Sequence, residues 1–428
     1  MMTSIGSAGK AMVVGVAVAL AMALPACSPA QSSGSAAVTT SRPVIALPGM
    51  SCAWPTELSA QTDNVAFPDA AEEIFGGPIV ASAGTRIILS GRFPDARYAS
   101  VQVYTPGGVG TSLPDYRIAP RPGSLNPWQQ QAAPGGRFTV TISPDPAPGQ
   151  ANTLPLPAGT TSQHPGYLVY RVYLPTGGAS AVPLPMLTVE QGVAARTLPA
   201  CPSHNAAVTF PAKSGSAAPA AGAGGSAGAV PPPLEFYTAQ QSFNNAGLAN
   251  VDTSHVYAYL VRPPASDVVV VTGKAPTFAP GSHPSPWPAQ GEDVRYWSMC
   301  MGVLIRLVPL VANRLPGGGT DYGCRADEAT RLNAAGEYTY VIGSESQRGA
   351  ISHVPGVTFL PFSTAYPGGP YLLALRYLLV SPSFTHSPQG VTQAEDPAAA
   401  AAVMGPYYPR AAVCPLATLA ARGPRGCL

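Results

Sequence analysis

Short stretches in which β-branched and aromatic residues alternate with polar ones recur along the chain. Residues 101–104 and 138–142 show this pattern, and residues 168–174 are similar. Clusters rich in Gly and Pro, such as residues 106–108 and 144–146, separate these stretches. Alternation with a period of two is typical of a strand with one buried face, and such clusters mark turns. The pattern predicts an all-β protein made of β-sandwich, jelly-roll-like domains.

Two regions depart from this pattern. Helix is expected to be scarce, and two short helices are predicted near the C-terminus, over residues 398–404 and 411–422. Residues 302–311 are almost continuously apolar. A short apolar run of this kind favours a buried strand, and the alternative is an exposed patch for lipid or a protein partner.

The two halves of the chain repeat the same order of short motifs. Residues 87–94 precede Arg97-Tyr98 in the first half, and residues 269–276 precede Arg295-Tyr296 in the second. The other matches, in chain order, are Asp115-Tyr116 with Asp321-Tyr322, residues 136–142 with 336–342, Leu154-Pro155 with Leu360-Pro361, and residues 167–173 with 371–377. Motifs that keep their order while the spacers vary indicate an internal duplication.

Residues 214–233 contain no charged or aromatic side chain, as is typical of a flexible linker. We therefore predict five segments. They are a signal peptide (1–26), a lipidated tether (27–50), a first β-sandwich domain (51–205), a linker (206–233), and a second β-sandwich domain with a C-terminal tail (234–428).

The first half resembles an all-β domain of unknown function that occurs in exported actinobacterial proteins. The resemblance covers roughly residues 60–190, and the second half matches it loosely because it lacks the Gly-Ser-x-Asn-Pro segment. The resemblance implies fold and export, and it brings no known activity. The residues that carry it are Gly91, Pro94, Arg97, Tyr98, Ser100, Asp115, Ile118, Gly123, Ser124, Asn126, Pro127, Asn152, Thr153 and 170–173.

The N-terminus has the features of an export signal. Lys10 precedes an apolar run over residues 11–24, which is shorter than the ~20 residues that span a bilayer. The following Leu24-Pro25-Ala26-Cys27 resembles the lipobox of bacterial lipoproteins, in which the Cys is acylated. Residues 28–40 are small and polar, as expected of a tether. We predict an exported protein anchored by lipid on Cys27 to the outer face of the cell membrane.

Cysteine usage agrees with an oxidising compartment. The chain has 7 Cys, so 6 remain after Cys27 is set aside. Six cysteines allow 15 pairings, which the sequence alone cannot resolve. The pairing that we favour is Cys52–Cys201, Cys300–Cys324 and Cys414–Cys427.

Charge is scarce in this chain. Charged residues make up 10% of it, and the 23 basic and 21 acidic residues leave a formal net charge of +2. Nucleic-acid-binding proteins usually cluster their basic residues, whereas Lys and Arg are scattered here. We expect no nucleic-acid partner, no metal and no cofactor.

Arginine and acidic or amide side chains recur at matching places in the two halves. Within apolar strands, an arginine requires a carboxylate partner or an edge position. One interpretation is a pocket that binds an anionic or hydroxylated ligand through arginine forks, and the other is a set of ion pairs that joins strands. The candidate residues are Arg97, Asp115, Asn126, Arg171, Arg295, Asp321 and Arg376.

The sequence shows no catalytic motif in the structural context that the motif requires. The Gly-x-Ser-x-Gly match at residues 224–228 lies inside the linker, although a nucleophile elbow requires a strand and a helix on either side. We therefore expect a non-enzymatic lipoprotein that binds or scaffolds an envelope protein, glycan or lipid. The alternatives are an envelope hydrolase or transferase with a dispersed active site, and a lipid carrier.

Overall fold

The computed structural model describes residues 50–82, 84–108, 110–147, 149–207, 233–239 and 248–428. The predicted signal peptide, the predicted acylation site Cys27 and nearly all of the predicted tether and linker lie outside these residues. The described residues are dominated by strands, which confirms the all-β prediction. Among them, no helix is long and apolar enough to cross a membrane.

Ten strands of the first half, residues 50–207, form two five-stranded sheets. Inner sheet 1 has the order β1-β2-β8-β4-β5, and outer sheet 1 has the order β10-β9-β3-β6-β7, in which only β6 and β7 pair in parallel. The strands are β1 (Thr56–Leu58), β2 (Glu72–Ile79), β3 (Thr85–Arg92), β4 (Ala96–Tyr104), β5 (Gly110–Pro114), β6 (Arg137–Ser143), β7 (Thr153–Pro155), β8 (Gly166–Pro175), β9 (Met186–Gln191) and β10 (Ala194–Thr197).

The second half, described over residues 233–239 and 248–428, repeats this arrangement with four-stranded sheets. Inner sheet 2 has the order β11-β19-β13-β16, outer sheet 2 has the order β18-β17-β12-β20, and β14 pairs with β15. The strands are β11 (Thr253–Val261), β12 (Asp267–Lys274), β13 (Val294–Val303), β14 (Ala312–Arg314), β15 (Thr320–Tyr322), β16 (Cys324–Ala326), β17 (Glu337–Gly343), β18 (Thr358–Pro361), β19 (Pro370–Val380) and β20 (Arg410–Pro415). The helices are α1 (Arg348–Ser352), α2 (Pro397–Met404) and α3 (Leu416–Arg422).

Each half encloses its own hydrophobic core between its two sheets. Val101 of β4 and Val140 of β6 meet in the first core, and Met299 of β13 and Tyr340 of β17 meet in the second. Burying a side chain of this size stabilises the folded state by about 1.5–3 kcal/mol. The alternating burial of β6 is that of a strand with one face on the core and one in solvent.

The inner sheets are buried on both faces. All nine residues of β4 and all ten of β13 are buried, which requires a second layer on the side away from their own core. That layer is the other half, as the rings of Tyr173 and Tyr296 show with centroids 5.2 Å apart. Residues 45–428 accordingly form one compact unit.

Two sequence predictions need correction. The apolar segment 302–311 is not a continuous strand, because β13 ends at Val303 and an irregular loop follows. This loop contacts the first half, where the backbone N–H groups of Ala66 and Phe67 donate to the carbonyls of Leu307 and Val308 at 2.7 and 2.8 Å. The helix predicted over residues 411–422 begins only at α3, since the preceding residues form β20.

The predicted helix at residues 398–404 is present as α2. Asp396 caps it, with its Oδ1 accepting from the N–H groups of Ala398 and Ala399 at 2.9 and 3.0 Å, and Pro397 occupies the first turn. An aspartate cap followed by proline is the typical start of a helix.

Three disulfides join the pairs that the sequence analysis favoured. Cys52–Cys201 links the two ends of the first half, Cys300–Cys324 links β13 to β16, and Cys414–Cys427 links β20 to the C-terminus. Closing loops of this kind stabilises a fold mainly by restricting the unfolded chain.

Candidate functional site

Two of the predicted arginines are buried between the two halves and form ion pairs with carboxylates of the opposite half. Arg97 Nη1 lies 2.6 Å from Asp327 Oδ2, and Arg295 Nη1 lies 2.8 Å from Asp115 Oδ1. Arg97 also contacts Glu328 at 2.8 Å. Arg97 and Asp115, which follow each other in the first half, therefore have partners in the second.

Asp327, rather than the predicted Asp321, is the counterpart of Asp115. Each opens a short 3-10 turn, Asp115–Arg117 or Asp327–Ala329, and each accepts a backbone N–H from the inner sheet of its own half. Those N–H groups belong to Ala99, at 2.7 Å, and Trp297, at 3.3 Å. Asp321 instead lies in β15 and forms ion pairs with Arg325 and Arg348.

The strand registers correct a second match. Arg171 lies opposite Ser100, and Arg376 lies opposite Ser298, so the two arginines are equivalent. This register aligns Tyr167 with Leu372, one residue away from the alignment that the tyrosines suggest. A slip of one residue reverses the faces of a strand, so only the register can set this equivalence.

Arg171 and Arg376 also reach across the interface. Arg171 pairs with Glu72 of its own half and donates to the carbonyl of Leu248 in the second. Arg376 lies 3.5 Å from Asp69 Oδ2 and donates to the carbonyl of Phe67 at 2.6 Å, both in the first half.

Two tyrosines complete the reciprocal contacts. Tyr98 donates its hydroxyl to Asp252 at 2.6 Å, and Tyr296 donates to Asp69 at 2.8 Å. Each half thus supplies donors to carboxylates of the other, as in a pair of subunits related by a twofold axis.

Asn126 holds a turn beside this network. Its Nδ2 donates to the carbonyls of Asp115 and Ile118 at 2.8 and 2.7 Å, and its Oδ1 accepts from the N–H of Trp128 at 2.8 Å. All of its partners are backbone groups, so its role here is structural.

Burial dominates the electrostatics of the network. Burial raises the pKa of Asp115 to about 6 and that of Asp327 to about 6, while the facing arginines lower both. Burial also lowers the pKa of Arg171 to about 10. Because Arg97, Arg171 and Arg295 are each 2% exposed, solvent and ligand have little access to them. These contacts join the two halves.

A different group of arginines lies open to solvent. Arg92 ends β3, Arg137 lies directly opposite it at the start of β6, and the N–H of Arg121 donates to the carbonyl of Arg137 at 2.8 Å. The three side chains line a groove of about 340 Å³ on the solvent face of outer sheet 1. We call it the arginine groove. Its other lining residues are Ser90, Gly91, Pro183, Leu184 and Met186.

The charges of the arginine groove are not balanced. Within the described part of the chain, no carboxylate lies within ion-pair distance of Arg92, Arg121 or Arg137. Arg92 Nη1 donates to the carbonyl of Gly135 at 3.0 Å instead. Like charges directly opposite each other destabilise a pair of strands, so the facing Arg92 and Arg137 carry a cost.

The second half shows that the fold does not require this arrangement. Lys274 lies opposite Glu337 where the first half has Arg92 opposite Arg137. The N–H of Asn333 donates to the carbonyl of Glu337 at 2.9 Å, so Asn333 takes the place of Arg121. The three equivalent positions therefore sum to zero charge in the second half and to +3 in the first.

The arginine groove was not predicted from the sequence. The sequence does contain a difference in charge between the two halves. Arg92 and Arg137 each follow a glycine in the matched segments, where the second half has Lys274 and Glu337. Recognising that the two arginines face each other requires the strand register, and placing Arg121 beside them requires the loop before β6.

No protein-family model and no curated protein matches the sequence. Among solved structures, the chain is similar to an uncharacterized protein from Burkholderia cenocepacia, with 12% sequence identity over 85% of this chain and 82% of that one and a TM-score of 0.49. The resemblance to an actinobacterial domain of unknown function stays a prediction.

Proposed function

We propose that this chain is an exported lipoprotein, anchored by acyl chains on Cys27, that binds an anionic component of the cell envelope in the arginine groove. The observation that carries the proposal is the set of three exposed arginines without a carboxylate partner. The neutral set at the equivalent positions of the second half supports it, since it indicates that the charge serves something other than folding.

The chemistry of the groove suits a phosphate or carboxylate. A guanidinium group offers parallel N–H donors that match the oxygens of either anion. An anion between Arg92 and Arg137 would also relieve their mutual repulsion. Binding is therefore expected to stabilise the first half, in addition to supplying hydrogen bonds to the anion.

The lining of the groove supports binding rather than catalysis. It contains three arginines, Ser90, Gly91 and three apolar residues, and its lining includes no carboxylate, imidazole or thiol. General acid–base catalysis needs a group whose pKa lies near the working pH.

Binding can be tested on the mature chain carrying Cys27→Ala, purified with its disulfides, and with inorganic tripolyphosphate as the probe. We expect calorimetry to show binding that weakens at least tenfold in the triple variant Arg92→Gln, Arg121→Gln, Arg137→Gln. The control is Lys274→Gln, Arg331→Gln, Arg410→Gln, which removes three exposed cations from the second half and should change Kd less than twofold. Equal losses in the two variants would contradict a specific groove.

The anchor is tested separately in cells. Metabolic labelling with a fatty-acid probe should mark the chain, and Cys27→Ala should abolish the label. A chain that stays unlabelled while a control lipoprotein is marked would remove the anchor from the proposal and leave anion binding untouched.

A further inference from the structure

We infer that the anion held by the arginine groove is the phosphate of lipid headgroups in the membrane that carries the anchor. The first half would then lie on the bilayer with the groove facing the lipid. This inference rests on the proposed function, and it names the ligand class of the same site.

The core of the first half holds the backbone on one side of the groove. Trp54 is buried in the first core and donates its indole N–H to the carbonyl of Pro185 at 2.6 Å. Pro185 stands between Leu184 and Met186, which both line the groove. This side of the groove is therefore fixed to the core behind it.

The proposed acyl anchor on Cys27 would keep the whole protein at the membrane surface. With Cys27 held in the bilayer, headgroup phosphate would be present around the groove at high local concentration.

The rim of the groove is apolar, which distinguishes a membrane surface from a dissolved phosphate. Met186 is 62% exposed at the groove. Leu125 is 52% exposed, and its carbonyl contacts Gly136, the neighbour of Arg137, so closely that a Cβ on Gly136 would lie 2.1 Å from it. Exposed apolar side chains next to arginines match the boundary between headgroups and acyl chains, where a free anion would gain nothing from them.

Three arginines suffice for a measurable effect. Each basic residue near an anionic leaflet strengthens binding several-fold, so three together predict a change on the order of 100-fold at low salt. The acyl anchor already retains the protein, so the groove would chiefly set its orientation on the membrane.

The test measures vesicle binding by the mature chain with Cys27→Ala, which lacks the acylation site. Co-sedimentation is compared between vesicles of phosphatidylcholine alone and vesicles with about equal parts of phosphatidylglycerol. We expect binding to the anionic vesicles only, weakened as salt rises from about 0.05 to 0.5 M because the Debye length shortens. The triple variant of the groove should lose at least tenfold in affinity, and the second-half triple variant should stay within twofold.

Other results would overturn membrane docking, and one of them would also overturn the proposed function. Equal binding of the two triple variants, or equal binding to the two vesicle types, would overturn membrane docking through the groove. Binding of tripolyphosphate without binding of vesicles would overturn docking and leave the anion-binding function standing. A protein that binds neither tripolyphosphate nor anionic vesicles would overturn the proposed function as well.

Discussion

The two outer sheets have matching strands but opposite surroundings. In outer sheet 2, Val270 of β12 is fully buried and packs with Ile351 of α1 and Leu419 of α3. The equivalent residue of outer sheet 1 is Ile88 of β3, which is only half-buried among exposed and polar neighbours. One sheet is closed by helices and the other faces solvent.

The polar positions follow the same division. Thr141 of β6 stands where β17 has the fully buried Val341, since these residues pair with Ile88 and Val270 respectively. A threonine tolerates water on a sheet face, whereas a valine gains from cover. The covered face is thus a core, and the open face is available for a ligand.

The inner sheets have diverged less. The ion pairs Arg97–Asp327 and Arg295–Asp115 are equivalent with the halves exchanged, although Arg97 also contacts Glu328. A buried charge without its partner is costly, so both copies are constrained where they meet. This duplicated scaffold therefore keeps equivalent ion pairs at the interface between its halves and differs most on the faces that point away from it.

Breaking the shared interface should have the largest effect. Asp115→Ala leaves Arg295 buried without a carboxylate, which we expect to lower the free energy of unfolding by about 3–5 kcal/mol. Asp327→Ala should cost less, because Arg97 keeps Glu328. Urea unfolding followed by tryptophan fluorescence measures both.

The matched control for this prediction is Glu190→Ala. Glu190 pairs with Arg86 at 3.5 Å on the exposed sheet face, so its loss should cost under about 1 kcal/mol. Similar costs for Asp115→Ala and Glu190→Ala would show that the interface pairs do not join the halves.

A polar substitution at one site in each outer sheet tests whether only outer sheet 2 is covered. Val270→Thr puts a hydroxyl under the helices and should cost about 1–3 kcal/mol. Ile88→Thr places the same residue on the open face and should cost under about 1 kcal/mol. Thermal unfolding of the two variants shows which one loses more stability. A larger loss in Ile88→Thr would mean that the face of outer sheet 1 is covered.

Exchanging the charge pattern should have the smallest effect on stability. Arg137→Glu copies the second half by placing opposite charges across β3 and β6, so we expect stability to rise by about 0.2–1 kcal/mol. Glu337→Arg should lower it by a similar amount. Tripolyphosphate binding should be lost in Arg137→Glu. If this variant is less stable than the unmodified protein and still binds tripolyphosphate, the unbalanced charge is not the basis of the site.

Much of the architecture is encoded locally. Alternation with a period of two, Gly and Pro punctuation and the repeated motifs predicted strands and an internal duplication, because strand formation depends on which residues can face a core. The favoured cysteine pairs also agree with the structure, since two of them close short segments and the third joins the ends of one half. The helix predicted over residues 398–404 is present as α2, and the structure shows that Asp396 and Pro397 form its start.

Tertiary structure alone decided how the two halves meet. Sequence order suggested Asp321 as the counterpart of Asp115 and aligned Tyr167 with Tyr371. The shared 3-10 turn and its hydrogen bond to the inner sheet identified Asp327 instead, and strand register identified Leu372. The exchange of Arg97 and Arg295 between halves and the meeting of Arg92, Arg121 and Arg137 depend on contacts between distant segments. Such contacts depend on register and packing, and a local pattern of hydrophobic and polar residues carries no information about which distant strand lies opposite.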